Sequence, residues 1–336
     1  MATPAIAALA RSFPGARVDV ATGPWSRPGL ARNPHVGCLL DSEALIGGRT
    51  PTPRMLLRAA ARLRRGAYDG AVVLERGFWL ALLPLLAGIP VRAGFDSGGR
   101  GLTHTLPVGV AGVRHEAERY LACARRVGAT VLVRRMVFEP GDEARAAAAL
   151  ALASVRPAGR PYAVLHPGGG TNPGMRLDEK RWPAERFAAI ADRLAADGVT
   201  PVVVWGPGEA EVGQRLVRAA RRAPAVVGDA LSLAGVGALA AAARVYVAND
   251  SGPTHVALAV GAPTVAVFGP SDERRYGPFG DWPDGTPIGE AVANPRLDPA
   301  DPRGPWLTRS VEAVGVDDVW AAVERVVARA EKWRGR

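Results

Sequence analysis

The stretch VYVANDSGPTHVALAVGAPTVAVFG, Val245 to Gly269, decides the fold. Its β-branched and aromatic start, Val245 to Ala248, predicts a strand that is buried on both faces. A polar turn follows, and a helix is expected to begin at Ser251 or Gly252, residue types that favour helix N-caps. A second buried strand is predicted over Thr264 to Phe268. The stretch is therefore a compact βαβ unit.

The turn of this unit carries the chemistry. Pro253 is predicted at the first helical position, where its missing N–H costs nothing. The turn places Asp250, Ser251, Gly252 and His255 after the carboxyl end of a strand and at the amino end of a helix. Doubly wound sheets bind anionic ligands at such positions.

Length and composition limit the class of protein to which the chain can belong. A chain of 336 residues predicts two domains of about 150 residues each. Neither a membrane-spanning apolar run nor a signal peptide is recognised, which predicts a cytoplasmic protein. Cys38 and Cys123 are too few for a disulfide framework or a cysteine-based zinc site, so each is expected to be buried packing.

The net charge of +10 suggests an acidic partner. The basic residues are spread along the chain without interleaved aromatics, which argues against nucleic acid. Acidic small substrates or a peripheral contact with an anionic membrane surface fit equally well. Lys180 and Lys332 are the only lysines among 42 basic residues. A lysine in a loop is therefore notable, although Lys332 in the tail shows that chance also supplies one.

The remaining chain alternates strand and helix, more regularly in its second half. An opening helix over Pro4 to Ala10 has no strand before it. The Pro/Gly-rich stretch Arg156 to Pro161 reads as an interdomain linker. Later elements include a helix over Ala184 to Ala196, and a last amphipathic helix over Asp317 to Trp333. This alternation predicts a parallel sheet with right-handed crossovers.

Two glycine-containing loops follow predicted strands. Gly168, Gly169, Gly170 and Gly174 suggest a phosphate cradle, because glycine lets backbone amides approach oxygens closely. No GK[ST] follows, so this is no nucleotide-hydrolysing P-loop, and a flexible turn is the alternative. In GPGE, Glu209 is placed to accept hydrogen bonds from ribose hydroxyls. The alternative is an ordinary acidic residue at the start of a helix.

Lys180 follows the glycine-rich loop, where an ammonium could neutralise a diphosphate; an exposed loop lysine is the alternative. DxD, HExxH and GxSxG patterns are missing, which gives little support to divalent-metal transfer or serine hydrolysis. His166 and His255 are too isolated for a metal site and are expected to be structural.

Several motifs together resemble the heptosyltransferase-type glycosyltransferases, glycosyltransferase family 9. In the second half these are HPGGG from His166, KRWPAERFAAIADRL from Lys180, VVVWGPGE from Val202 and, most specifically, NDSGPTHVALAVGAPTVAVFGP from Asn249. In the first half the likeness is looser and rests on TPAIAALARSFPGARVDVAT, LLAGIPVRAGF and HEAERYLACARRVG.

The resemblance implies an α/β GT-B fold, with two Rossmann-like domains facing across a cleft. We expect an acceptor-side domain over 1–157, a nucleotide-sugar domain over 158–315, and a helix over 316–336 that packs back on the first domain. The family also implies inverting transfer, without metal or other cofactor, from a nucleotide-diphosphate sugar such as ADP-heptose. The acceptor would be a glycan, a glycolipid or a secondary metabolite.

The family pattern assigns roles to particular residues. Lys180 would contact the donor phosphates, Glu209 the ribose and Asp250 the donor sugar. The backbone from Ser251 to His255 would hold the diphosphate. Gly168, Gly169, Gly252 and Thr254 complete this expected substrate-binding set.

The chain departs from the family at its start. The family opens with a strand and a glycine-aspartate turn before the helix that here begins at Thr3, and that aspartate is the expected base. Either the true start lies upstream, so that the first strand is missing here, or the usual base is lacking. In the second case the protein is inactive, or another acid such as Glu75 substitutes. A GT-B sugar-nucleotide epimerase and a catalytically impaired sugar-nucleotide-binding protein are the alternative functions.

Overall fold

The computed structural model describes residues 1–41, 51–75, 77–156, 159–172, 175–294 and 310–335. The chain divides into two compact units, Met1–Val137 and Phe138–Arg336. Each unit is built around parallel β-strands with helices beside them.

The first unit opens on a helix, as predicted. Thr3 to Ala8 are buried in α1, which packs on α4, and the Ser12 hydroxyl at its end accepts hydrogen bonds from the amides of Thr130 and Val131. The helices are α1 (Thr3–Ser12), α2 (Pro53–Arg65), α3 (Phe78–Leu86) and α4 (Glu116–Arg126). The strands are β1 (Val20–Thr22), β2 (Leu39–Asp41), β3 (Gly70–Val73), β4 (Val91–Phe95) and β5 (Leu106–Val108).

The described strands of this unit form two separate parallel sheets. One sheet pairs β1 with β2, and the other has the order β3-β4-β5. The Tyr68 hydroxyl, just before β3, donates a 2.7 Å hydrogen bond to Asp19, just before β1. The amino ends of the two sheets are therefore joined through side chains. The expectation of a missing first strand stays a prediction.

The second unit is a doubly wound sheet. Its helices are α5 (Asp142–Val155), α6 (Ala184–Ala196), α7 (Ala210–Ala219), α8 (Leu233–Ala241), α9 (Gly252–Ala259), α10 (Glu273–Tyr276) and α11 (Val316–Arg334). Its strands are β6 (Tyr162–His166), β7 (Thr171–Asn172), β8 (Met175–Arg176), β9 (Thr200–Val204), β10 (Ala225–Gly228), β11 (Tyr246–Asn249), β12 (Thr264–Phe268) and β13 (Gly289–Ala293). Six strands form one parallel sheet in the order β10-β9-β6-β11-β12-β13, while β7 and β8 pair antiparallel beside it.

Both faces of this sheet are covered, because successive side chains of a strand point to opposite faces. Leu165 of β6 belongs to a core shared with α6, α7 and α11, whereas the adjacent Val164 belongs to a core shared with α5 and α8. The strands consequently read as continuous apolar runs rather than alternating ones. The predicted α/β class with a parallel sheet is confirmed.

The boundary between the units and the packing of the last helix differ from the sequence-based expectation. The division falls between Val137 and Phe138, twenty residues before the predicted boundary at 157. The reason is α5, whose Ala148 is buried in a core of the second sheet. The final helix α11 packs on α6, β12 and β13, all in the same unit. No helix among the described residues is long and apolar enough to cross a membrane.

Candidate active site

Three adjacent strands of the second sheet end at the same edge. β9, β6 and β11 are neighbours and parallel, so the segments that follow their carboxyl ends lie side by side. These segments contain Glu209, the glycine turn after His166, and the turn at Asp250. The sheet therefore brings together the sequence motifs that were predicted to form one site.

Lys180 and Asp250 form the charged centre of this edge. The Lys180 ammonium lies 2.7 Å from an Asp250 carboxylate oxygen, and both side chains are largely buried. Lys180 ends a 3₁₀ turn over Asp178–Lys180. Asp250 follows β11, and its backbone amide donates a hydrogen bond to the Val267 carbonyl. The alternative of an exposed loop lysine is therefore wrong. A buried ammonium beside a helix N-terminus is suited to binding an anion.

Glu209 fastens two loops instead of capping its own helix. Its carboxylate accepts hydrogen bonds from the amides of Gly169 (2.6 Å) and Gly206 (2.8 Å), and one oxygen lies 3.3 Å from His166 Nε2. Burial disfavours the charged form, yet the bond and charge of His166 and the two amides lower the pKa of Glu209 to about 2. Glu209 is therefore an anion that holds the glycine turn in place. His166, which was expected to be structural, is buried and contacts Glu209.

The glycine turn is shaped by its neighbours. A Cβ on Gly168 would lie 2.1 Å from a Glu209 oxygen, so only glycine fits against that carboxylate. Gly169 has a φ of +112°, and its carbonyl accepts a hydrogen bond from Arg181 Nε. The backbone at Gly169 is thus bound by side chains from two other segments, Glu209 and Arg181. Gly174 lies outside the described residues.

Asn249 connects this turn to the segment that carries Lys180. Its buried side-chain amide donates to the carbonyls of Pro167 and Gly168, both at 2.9 Å. Its side-chain oxygen accepts the amide of Trp182, also at 2.9 Å. One side chain therefore sets the position of two loops. Its place as the first residue of the NDSG motif was the available signal, but the sequence reasoning assigned it no role.

The N-terminus of α9 points its amides at the same edge. Ser251 is the N-cap, as predicted, but makes no capping hydrogen bond through its side chain. Its hydroxyl lies 3.0 Å from that of Thr254, which donates to the Asn249 carbonyl. Pro253 occupies the second helical position rather than the first. Because the first N–H groups of a helix have no intrahelical partner, they remain available for an anion.

Two further predicted residues are His255, in the second unit, and Glu75, in the first unit. His255, in the first turn of α9, is half-buried. Glu75, the weak candidate for a base, is exposed two residues after the end of β3 in the first unit. Among the residues that the structure describes, no group of three or more His, Cys, Asp or Glu side chains is arranged to hold a metal ion.

Comparison with known proteins identifies the family of this chain. The model of the family described as "Glycosyltransferase family 9 (heptosyltransferase)" matches residues 56–286, more than half of the chain. Lipopolysaccharide heptosyltransferase 2 of Escherichia coli K12 is 30% identical over 282 residues, which cover 78% of this chain and 77% of that protein.

Solved structures show the same fold. A glycosyl transferase family 9 protein from Veillonella parvula superimposes with a TM-score of 0.78 at 21% identity, covering 97% of this chain and 92% of that one. The Escherichia coli ADP-heptose lps heptosyltransferase II gives 0.72 at 23% identity, covering 98% and 95%. The predicted GT-B type of α/β fold and the predicted glycosyltransferase class are confirmed. This chain belongs to glycosyltransferase family 9, the heptosyltransferase family.

Proposed function

We propose that this protein transfers heptose from ADP-heptose to a hydroxyl group of a lipopolysaccharide-type glycolipid, with inversion at the anomeric carbon and without a metal ion. The Escherichia coli K12 relative named above is a lipopolysaccharide heptosyltransferase, and one of the two solved structures is named an ADP-heptose lps heptosyltransferase, which supports donor and acceptor. The observation that carries the proposal is the Lys180–Asp250 pair, which lies beside the N-terminus of α9.

The diphosphate of the donor is assigned to Lys180 and to the backbone between Ser251 and His255. During transfer a bond forms between the acceptor oxygen and the anomeric carbon, while the bond from that carbon to the β-phosphate oxygen breaks. Negative charge therefore grows on the leaving ADP. An ammonium and helix N–H groups can stabilise this charge, and one such contact contributes about 3 kcal/mol.

The two acids take different roles in this proposal. Asp250 accepts a hydrogen bond from a hydroxyl of the sugar, once the diphosphate has drawn Lys180 away from it. Glu209 accepts hydrogen bonds from the ribose hydroxyls, through carboxylate lone pairs that the amides of Gly169 and Gly206 do not occupy. Its hydrogen bonds also hold the glycine turn, including Gly168 and Gly169, against the donor.

The acceptor proton requires a base, and Glu75 is the candidate among the described residues of the first unit. Replacing Glu75 with glutamine should abolish transfer and leave ADP binding unchanged if this assignment is right. Full activity of Glu75→Gln would remove it from the mechanism. The family assignment favours transfer over the epimerase alternative.

The test is a transfer assay with purified protein, ADP-heptose and lipopolysaccharide from a heptose-deficient strain. We expect stoichiometric release of ADP and gain of one heptosyl unit by the acceptor, unchanged by EDTA, with an inverted anomeric configuration by NMR. UDP-glucose and GDP-mannose serve as control donors. ADP binding without transfer to any acceptor would instead support a sugar-nucleotide-binding protein, and loss of activity in EDTA would refute metal independence.

A further inference from the structure

His166 is a buried polar residue in the middle of the second sheet. It is the last residue of β6, which lies between β9 and β11, and it pairs with Ala248. Only 3% of the residue is exposed. Its Nε2 lies 3.3 Å from Glu209 Oε2, whereas its Nδ1 has no hydrogen-bond partner in the part of the chain that the structure describes. A buried nitrogen without a partner costs stability, so filling the core does not explain a histidine at this position.

The two carboxylate oxygens of Glu209 have different surroundings. Oε1 accepts a hydrogen bond from the Gly169 amide at 2.6 Å. Oε2 accepts a hydrogen bond from the Gly206 amide at 2.8 Å and also faces His166 Nε2. A Cβ on Gly168 would lie 2.1 Å from Oε2, so the backbone covers this oxygen closely. Because each carboxylate oxygen accepts about two hydrogen bonds, Oε2 is saturated and Oε1 has one position left.

We propose that His166 is a positioning residue that directs Glu209 Oε1 at a single ribose hydroxyl of the donor nucleotide. This role rests on the proposed function, which assigns the ribose to Glu209. By occupying the last position on Oε2, the imidazole keeps that oxygen from binding a second hydroxyl. It also adds a third contact to the two amides, which restricts rotation of the carboxylate. The contact between Glu209 and the ribose is thereby narrowed to one hydroxyl.

The burial of His166 separates this role from two others. An imidazole that is 3% exposed is not accessible to an acceptor hydroxyl, so it acts through Glu209 and not on the reacting atoms. A purely structural role would change the affinity for every adenine nucleotide equally, because the whole glycine turn would move. A positioning role changes only the part of the affinity that depends on the ribose hydroxyl.

The test is calorimetry of the parent protein with ADP, 2′-deoxy-ADP, 3′-deoxy-ADP and 2′,3′-dideoxy-ADP. We expect one of the two monodeoxy nucleotides to bind about tenfold more weakly than ADP, because it lacks the hydroxyl that donates to an ionised carboxylate. The other monodeoxy nucleotide should bind like ADP. The dideoxy nucleotide should bind like the weaker monodeoxy nucleotide.

Three substitutions at His166 distinguish positioning from packing. His166→Leu should reduce the preference for ADP over dideoxy-ADP from about tenfold to about twofold, with the affinity for dideoxy-ADP unchanged. His166→Gln should restore the preference, because its side-chain amide reaches the position of Nε2. His166→Asn is the matched control: its shorter amide reaches the position of Nδ1, which has no partner among the described residues, so it should behave like the leucine variant. Melting curves check that each variant is folded.

The outcomes separate the role of His166 from the proposed function. If the parent does not bind ADP, or binds ADP and dideoxy-ADP equally, the assignment of the ribose to Glu209 is wrong, and so is the role of His166. A discriminating parent together with an equally discriminating His166→Leu would overturn the role of His166 alone.

Equal weakening of ADP and dideoxy-ADP in His166→Leu would show a structural role instead. Comparable losses with both monodeoxy nucleotides in the parent would contradict the single-hydroxyl contact. If His166→Leu does not fold, the glutamine and asparagine variants decide, and equal preference for ADP in both would overturn the proposal.

Discussion

The ammonium of Lys180 and the carboxylate of Asp250 lie 2.7 Å apart at the carboxyl edge of the second sheet. The proposed function sends these two groups to different parts of the donor, the diphosphate and the sugar. Donor binding must then exchange an internal ion pair for two contacts with the ligand. The pair keeps two buried charges compensated until the ligand arrives.

Lys180→Ala should weaken ADP binding by about tenfold or more, because a charged contact to the diphosphate is lost. Isothermal titration calorimetry measures the affinity. Lys332→Ala is the matched control, since Lys332 is the only other lysine and lies near the end of α11. Unchanged affinity in Lys180→Ala would contradict its role at the phosphates.

Asp250→Asn should lower kcat while the protein stays folded and binds ADP at least as well as the parent. The neutral amide no longer competes with the diphosphate for Lys180, yet it accepts a weaker hydrogen bond from the sugar. Steady-state kinetics and calorimetry separate the two effects. If Asp250→Asn is unfolded, the carboxylate is structural and its proposed contact with the sugar loses support.

Asn249→Asp should weaken both stability and ADP binding. The change replaces a donor to the carbonyls of Pro167 and Gly168 with an oxygen that repels them, and about 2 kcal/mol of stability should be lost. Urea unfolding and calorimetry measure the two quantities. Asn33→Asp is the control, because Asn33 is also buried and donates to the Val137 carbonyl in the other unit. Equal loss of ADP affinity in both variants would show that Asn249 does not position the site.

Glu209→Gln should lose stability in a pH-dependent way. The pKa of Glu209 is lowered from 4.5 to about 2, so its ionised form stabilises the folded protein above about pH 4.5. This contribution, about 2 kcal/mol after solvent screening, should disappear as the pH falls from 4.5 toward 2.

The measurement compares urea unfolding of parent and Glu209→Gln between pH 7 and pH 3. Their difference in free energy of unfolding should shrink below pH 4.5. Glu211→Gln changes an exposed carboxylate on the same helix and should show little difference at any pH. A pH-independent gap for Glu209→Gln would mean that the lost stability is not electrostatic.

Local sequence patterns predicted the second unit well where an apolar run was bounded by residues that start or end helices and strands. The helix Ala184–Ala196 and the strand Thr264–Phe268 occur with the predicted bounds. The domain boundary was not predictable in this way. The alanine-rich sequence of α5 has no marked apolar face, so only its packing on the second sheet reveals which unit it joins.

By itself, the sequence determined the α/β class, the family, and the loops that carry Lys180, Glu209 and Asp250. It could do so because motif spacing and strand periodicity are local properties of the chain. Only the tertiary structure decided that Lys180 pairs with Asp250, that Glu209 binds Gly169 beside His166, and that Arg64 of α2 binds the end of α3. Each of these contacts joins residues that are distant in the chain, and the sheet order and helix packing bring them together.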